Sequence, residues 1–234
     1  MLNAVLAGKK RGTGLHSQQM ALEEAEGAED VLTASVFERL SYLPENLLSL
    51  VLSDLLGEPF GPLQRIDYWP SWYLPDGTRV EPDVLLQGNS STVLVEAKRH
   101  DNARQQLATQ LANELLSGWQ QNVLSDPCIL LTLGGLNDYG EAGRQRLLSE
   151  VLPFLPDGSA SRFKLVCASW QQLYQALETH LPPDSPPGCL RLLDDIAKCY
   201  AWHGLRTHPM RWLADLRPVA LNTRPGTFAA WSLK

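Results

Sequence analysis

No run in this 234-residue chain approaches the ~20 consecutive apolar residues of a bilayer span, so no membrane segment is expected. Nor does it open like an exported chain. Residues 1–7 are too short for a signal-peptide core, and basic residues follow them instead of preceding them. Cysteine is scarce: Cys128, Cys167, Cys189 and Cys199 form no CxxC pair. Two of them sit in strand-like apolar runs, which reads as buried free thiols of a reducing compartment. The spacing of Cys189, Cys199, His203 and His208 fits no common zinc finger. The stretch 8–14 has glycines and basic residues but no Gly-Lys-Ser/Thr ending and no preceding strand, which excludes a Walker loop. Internal repeats and low-complexity tracts are missing. An excess of positive charge is missing too: the net charge is −6, which excludes a nonspecific nucleic-acid coat but leaves room for a local basic field. A cytoplasmic protein is expected.

What is present is ordinary globular composition, 44% hydrophobic and 20% charged, enough for one full-sized domain or a core with an appendage. The charge is polarised. Residues 187–234 hold 7 Lys/Arg against 3 Asp/Glu, through Arg191, Lys198, Arg206, Arg211, Arg217 and Arg224. That segment could face a phosphate backbone or an acidic partner. Three regions follow: a flexible basic arm over 1–22, a core over 23–180, and a C-terminal helical extension over 189–234 packed on that core. A Pro-rich loop at 181–188 separates the last two. The extension's aromatics (Tyr200, Trp202, Trp212, Phe228, Trp231) could pack in a core, stack on bases or seal a dimer.

The most informative run is 92–98, Thr-Val-Leu-Val-Glu-Ala-Lys. On a strand, Leu94, Glu96 and Lys98 face one way and Val93, Val95 and Ala97 the other. A carboxylate and an amine therefore stand side by side at the end of an apolar element, where burial is costly. Residues 81–87 place Asp83 on another short apolar run, and the turn signal at 88–91 folds the two into a hairpin. Asp83, Glu96 and Lys98 then converge. Two carboxylates suit a hard divalent cation such as Mg²⁺.

Residues 29–43 read as an amphipathic helix broken at Pro44, with a second helix to 56. Val36 and Leu40 lie within about 20° of Glu29, which therefore continues the apolar stripe, while Glu38 falls about 180° away and is expected in solvent. Residues 64–73 read as a strand interrupted by Pro70, turned by 75–77 into the Asp83 strand. Residues 102–116 read as a helix with Leu107, Ala108, Leu111 and Leu115 inward. Strands at 128–133 and 162–168 and helices at 141–152 and from Ser169 complete an α/β order with a mixed sheet.

Pro82-Asp83 followed after a turn by Glu96-Ala97-Lys98 resembles the signature of the PD-(D/E)xK nucleases, the restriction-endonuclease-like superfamily, over about residues 29–115. The resemblance implies an αβββαβ core with a mixed central sheet flanked by helices. It implies Mg²⁺, with Mn²⁺ able to substitute, held by Asp83, Glu96 and the Ala97 carbonyl. Lys98 would position or activate the water, and Glu29 would assist through water, with Asp30 as the alternative. Gln110 would orient Lys98 or the phosphate, with Gln106 as the alternative one turn earlier. Arg99, His100 and Arg104 beside Lys98 would hold phosphates. The expected activity is a deoxyribonuclease, an endonuclease of bacterial phage defence, restriction or repair. It would work as a homodimer with one site per strand, or with a partner subunit of a defence system. The rival expectation is a catalytically silent nuclease-fold subunit that binds DNA or a protein.

Overall fold

The computed structural model describes residues 28–209. The arm at 1–22 and the extension beyond 209, including Arg211, Trp212, Arg217, Arg224, Phe228 and Trp231, lie outside the described residues. The elements run α1 (Ala28–Leu40), α2 (Glu45–Leu56), β1 (Leu63–Tyr68), β2 (Trp72–Tyr73), β3 (Arg79–Val80), β4 (Val84–Gly88) and β5 (Thr92–Ala97). Then follow α3 (Ala108–Gln120), β6 (Cys128–Leu133), α4 (Glu141–Val151), β7 (Phe163–Ala168), α5 (Trp170–His180) and α6 (Pro187–His203). Five strands form one mixed sheet in the order β1-β4-β5-β6-β7. The hairpins make β1, β4 and β5 antiparallel, and the helical crossovers make β5, β6 and β7 parallel.

The period-2 pattern of β5 divides the core as the sequence requires. Val93, Val95 and Ala97 pack with α1, α2, α5 and α6, whereas Leu94 packs with α3 and α4 on the opposite face. Both faces are covered, so β5 and β6 are buried along their whole length. Ser169 caps α5 as its position suggested, accepting from the Gln172 N–H while the Gln172 side chain accepts from the Ser169 N–H. Cys128, Cys167 and Cys189 are buried, and all four cysteines are free thiols. Among the described residues no helix is long and apolar enough to cross a membrane.

Four expectations need correction. Glu38 is buried, not solvated. Helix α1 lies between the sheet and α6, where Arg39 reaches Asp195, so residues 31–38 are buried all round and no polar face remains. The strand proposed for 64–73 breaks at Trp69, whose φ of 47° turns the chain out of the sheet before Pro70. Such a conformation costs a bulky residue about 1–3 kcal/mol. The chain then makes the separate β2–β3 hairpin, which sets Trp72 and Val80 against α3. Helix α3 starts six residues later than the pattern suggested. The preceding loop is pinned instead: Gln105 and Gln106 N–H groups donate to the Gly135 carbonyl, and Tyr139 Oη donates to the Asp101 carbonyl. Leu107 is consequently the exposed residue before the helix and not part of its inner face. Finally, α6 is part of the main core as far as residue 203. Its Cys189, Ile196 and Tyr200 join the apolar cluster of α1 and α5, and Tyr200 Oη donates to the Trp170 carbonyl at 2.8 Å.

Candidate acid and cation site

The hairpin register aligns Val84 with Val95, so Asp83 comes to lie opposite Glu96 one step further on. Directly opposed side chains share a face. Asp83 is fixed by two nitrogen donors: Oδ2 accepts from the Ala97 N–H at 2.8 Å and Oδ1 from Trp69 Nε1 at 3.2 Å. Glu96 Oε1 accepts from Lys98 Nζ and from Gln110 Nε2, each at 2.6 Å. Lys98 Nζ also donates to Glu29 Oε1 at 3.2 Å, and Glu29 Oε2 accepts from the Arg99 N–H at 3.0 Å. The first turn of α1 thus joins the end of β5, although the two are almost 70 residues apart in sequence.

The segment after β6 makes room for Lys98. Gly134 and Gly135 both adopt positive φ, and a Cβ at Gly134 would collide with the Lys98 carbonyl. A Cβ at Gly135 would approach Lys98 Cβ to 2.6 Å. The Lys98 carbonyl accepts from Trp170 Nε1 at 2.7 Å. Gln106, buried in the loop before α3, donates to the Glu96 and Gly134 carbonyls, both at 3.2 Å. It is therefore part of the site, but not from one turn earlier on the helix.

One site residue was missed by the sequence reading. Glu114, only 1% exposed, accepts from the same Gln110 amide at 3.0 Å, so one amide bridges Glu96 and Glu114. A signal existed: Glu114 lies between the buried Leu111 and Leu115, an acid on an apolar stripe like Glu29. Among the described residues, four acids (Glu29, Asp83, Glu96, Glu114) therefore gather around one ammonium, Lys98. Burial, and then the Glu96 charge, lifts the Asp83 carboxyl well above the usual range. Burial, and then Glu114, does the same to Glu96. Glu114 is pushed up to about 8 by burial and the Asp83 charge. Burial works to lower the Lys98 ammonium, but Glu96, with Glu29 and Asp83 adding, more than offsets it and raises the pKa. Lys98 is thus a fixed positive charge and not a base.

The donor set fits a hard cation. Glu96 Oε2 and Glu114 Oε2 are buried and receive no donor from any other group among the described residues, the two acids facing each other. Among the described residues no three Asp, Glu, His or Cys side chains form a ready-made metal cage. Mg²⁺ does not require one, because it is usually held by one or two carboxylates and keeps several waters. Asp83 and Glu96, with the Ala97 carbonyl, are the groups that would hold it.

The proposed phosphate contacts divide. Arg99 offers its backbone N–H to Glu29. His100 is exposed on the rim of a groove of about 640 Å³ that Asn102, Gln171 and Arg206 also line. Arg104 instead reaches across to Glu150 of α4. Of the basic residues expected at the C-terminal end, Lys198 pairs with Asp194, and Arg191 lies beside another cavity between α6 and the α1–α2 turn. No family model matches the chain. It is 43% identical over 221 residues, 93% of this chain and 85% of the relative, to a protein of Pasteurella multocida (strain Pm70) described as uncharacterized protein PM0110.

Proposed function

This chain belongs to the same family as the Pasteurella multocida protein, and we propose that it is a Mg²⁺-dependent deoxyribonuclease with a restriction-endonuclease-like core. Supporting the fold is the order α1, β1, β4, β5, α3, β6, with three antiparallel strands continued by parallel ones. The observation that carries the function is the crowding of acids: among the described residues four carboxyl groups lie around one ammonium, and burial and mutual repulsion raise the pKa of three of them. A purely structural ion pair would be close to neutral, and its burial would be hard to sustain with this excess.

Asp83, Glu96 and the Ala97 carbonyl would hold the cation. When bound, it supplies the positive charge that polarises a phosphoryl oxygen. The chain's own groups do the rest. Lys98, kept protonated by Glu96 and Glu29, donates to the charge that builds on the scissile phosphate. Gln110 orients the Glu96 carboxylate and Gln106 secures its backbone. Glu29 aims Lys98 while holding the Arg99 N–H. His100 and Arg206, which line the groove, would contact backbone phosphates. A cytoplasmic role in bacterial defence or repair, as a homodimer or beside a partner subunit, belongs to the same proposal.

Plasmid nicking with Mg²⁺ or Mn²⁺ tests it. The wild type should cut, and Lys98→Ala and Asp83→Ala should each lose on the order of a hundredfold or more. Variants that cut as well as wild type, or a wild type that cuts nothing, would refute it. DNA binding without cutting would favour the silent-subunit reading.

A further inference from the structure

Trp69 is the one bulky buried residue in the described chain held at positive φ, and it grips Asp83 twice. Its backbone N–H donates to the Asp83 carbonyl at 3.0 Å, continuing the β1–β4 ladder past the Tyr68–Val84 pair. Its indole Nε1–H donates to Asp83 Oδ1 at 3.2 Å. At this position the chain leaves the sheet for the β2–β3 hairpin, and a glycine would make such a turn without steric cost. Among the described residues Trp69 is the side-chain donor to Asp83, and the second oxygen accepts from the Ala97 backbone. The two N–H groups approach different oxygens, which fixes the plane of the carboxylate and leaves each oxygen a further lone pair.

We propose that Trp69 is a positioning residue that holds the Asp83 carboxylate in the orientation a divalent cation requires. This rests on the reading of Asp83 as a cation ligand. Groups that hydrogen-bond a ligating carboxylate set its orientation, and their loss commonly weakens metal binding about 10–100-fold.

The test uses the full chain and binding, not cleavage. Mn²⁺ is titrated calorimetrically into wild type and Trp69→Phe, with melting temperature confirming that the variant is folded. Phenylalanine keeps an aromatic ring against Ala34 and Tyr68 but loses the donor together with part of the indole volume, which the melting temperature monitors. Mn²⁺ affinity should fall about tenfold or more in the variant. In wild type, added Mg²⁺ should strongly move the Trp69 indole N–H resonance, picked out of the seven by its contacts to Ala34 and Tyr68 and distinguished from Trp170 on the Lys98 carbonyl, and Asp83→Ala should abolish that response. This measurement decides the matter even if Trp69→Phe fails to fold, since a Trp69 indole that only packs would not respond. Equal Mn²⁺ affinities in wild type and Trp69→Phe, or an unresponsive set of indoles beside normal metal binding, overturns this inference alone. A wild type that binds no metal overturns it together with the cation reading. Metal binding without nicking leaves it standing and removes only the nuclease.

Discussion

Replacing Glu114 by glutamine should make the metal-free protein more stable at alkaline pH. Glu114 is fully buried and its pKa is pushed up to about 8, from an ordinary 4.5. Its folded-state pKa is the higher one, so between these values the folded chain retains a proton that the unfolded chain has released. Stability is therefore full below about pH 4.5, falls as pH rises toward about 8, and is flat above it. With each tenfold change in proton affinity worth about 1.4 kcal/mol, Glu114 alone removes about 3 kcal/mol between about pH 5.5 and 8.5. For a chain of this size that is about 10 °C in melting temperature. Glutamine keeps the shape and carries no charge, and its amide can donate to the neighbouring Glu96 carboxylate. Melting in EDTA across this range should show a steep decline for wild type and a shallower one for Glu114→Gln, with the variant ahead at high pH. Asp83 and Glu96 shift in the same direction and steepen both curves. Parallel curves for the two proteins, or a wild type that gains stability from about pH 5.5 to 8.5 without metal, would refute the electrostatic account. Added Mg²⁺ should raise the wild-type melting temperature most at the alkaline end, where the carboxylates it would neutralise are most fully charged.

Two further outcomes concern the frame around the site. The Asp101 carboxylate accepts from the Trp170 and Gln171 N–H groups at 2.8 and 3.2 Å, capping α5 from a loop about 70 residues away. Asp101→Ala should cost about 1–2 kcal/mol in denaturant unfolding, and an unchanged midpoint would show the cap to be idle. Gly134→Ala places a Cβ against the Lys98 carbonyl at a φ of 72°. It should destabilise by more than about 1 kcal/mol and lower nicking, whereas a variant equal to wild type in both would mean that the Lys98 loop does not depend on this close approach.

How much of this was legible follows from how local each signal is. Asp83, Glu96 and Lys98 were readable because strand alternation and the 88–91 turn act within 16 residues, and the structure brings the three together. Glu29 was readable from the stripe of a single helix, and it does reach Lys98. Glu38 misled for the converse reason: a one-faced periodicity assumes one buried face, whereas Tyr68 of β1 lies beside Glu38 and α6 meets α1 at Arg39. The late start of α3 was equally hidden, because the bonds that pin residues 101–106 come from Gly135 and Tyr139. Trp69 carried no sequence signal at all. A tryptophan before a proline reads as a strand residue, and only the register reveals that its two donors face Asp83.

The cluster is best understood as an arrangement that is unfavourable by itself. A buried ion pair usually stabilises no better than apolar residues of equal volume. Here, among the described residues, the acids outnumber the ammonium, and burial and mutual repulsion raise the pKa of three of them. Trp69 adds backbone strain at the same place, and Gly134 and Gly135 adopt positive φ to let Lys98 approach. Each departure lowers stability, and all of them meet at the end of β5. Strain and crowded acids at one point, inside a sheet otherwise packed with aliphatic residues, are consistent with the proposed cation site. The alternative, that the group serves only to hold β5 to α1 and α3, would need Lys98 and a single acid. It leaves Glu114, Gln110 and the indole on Asp83 without a purpose.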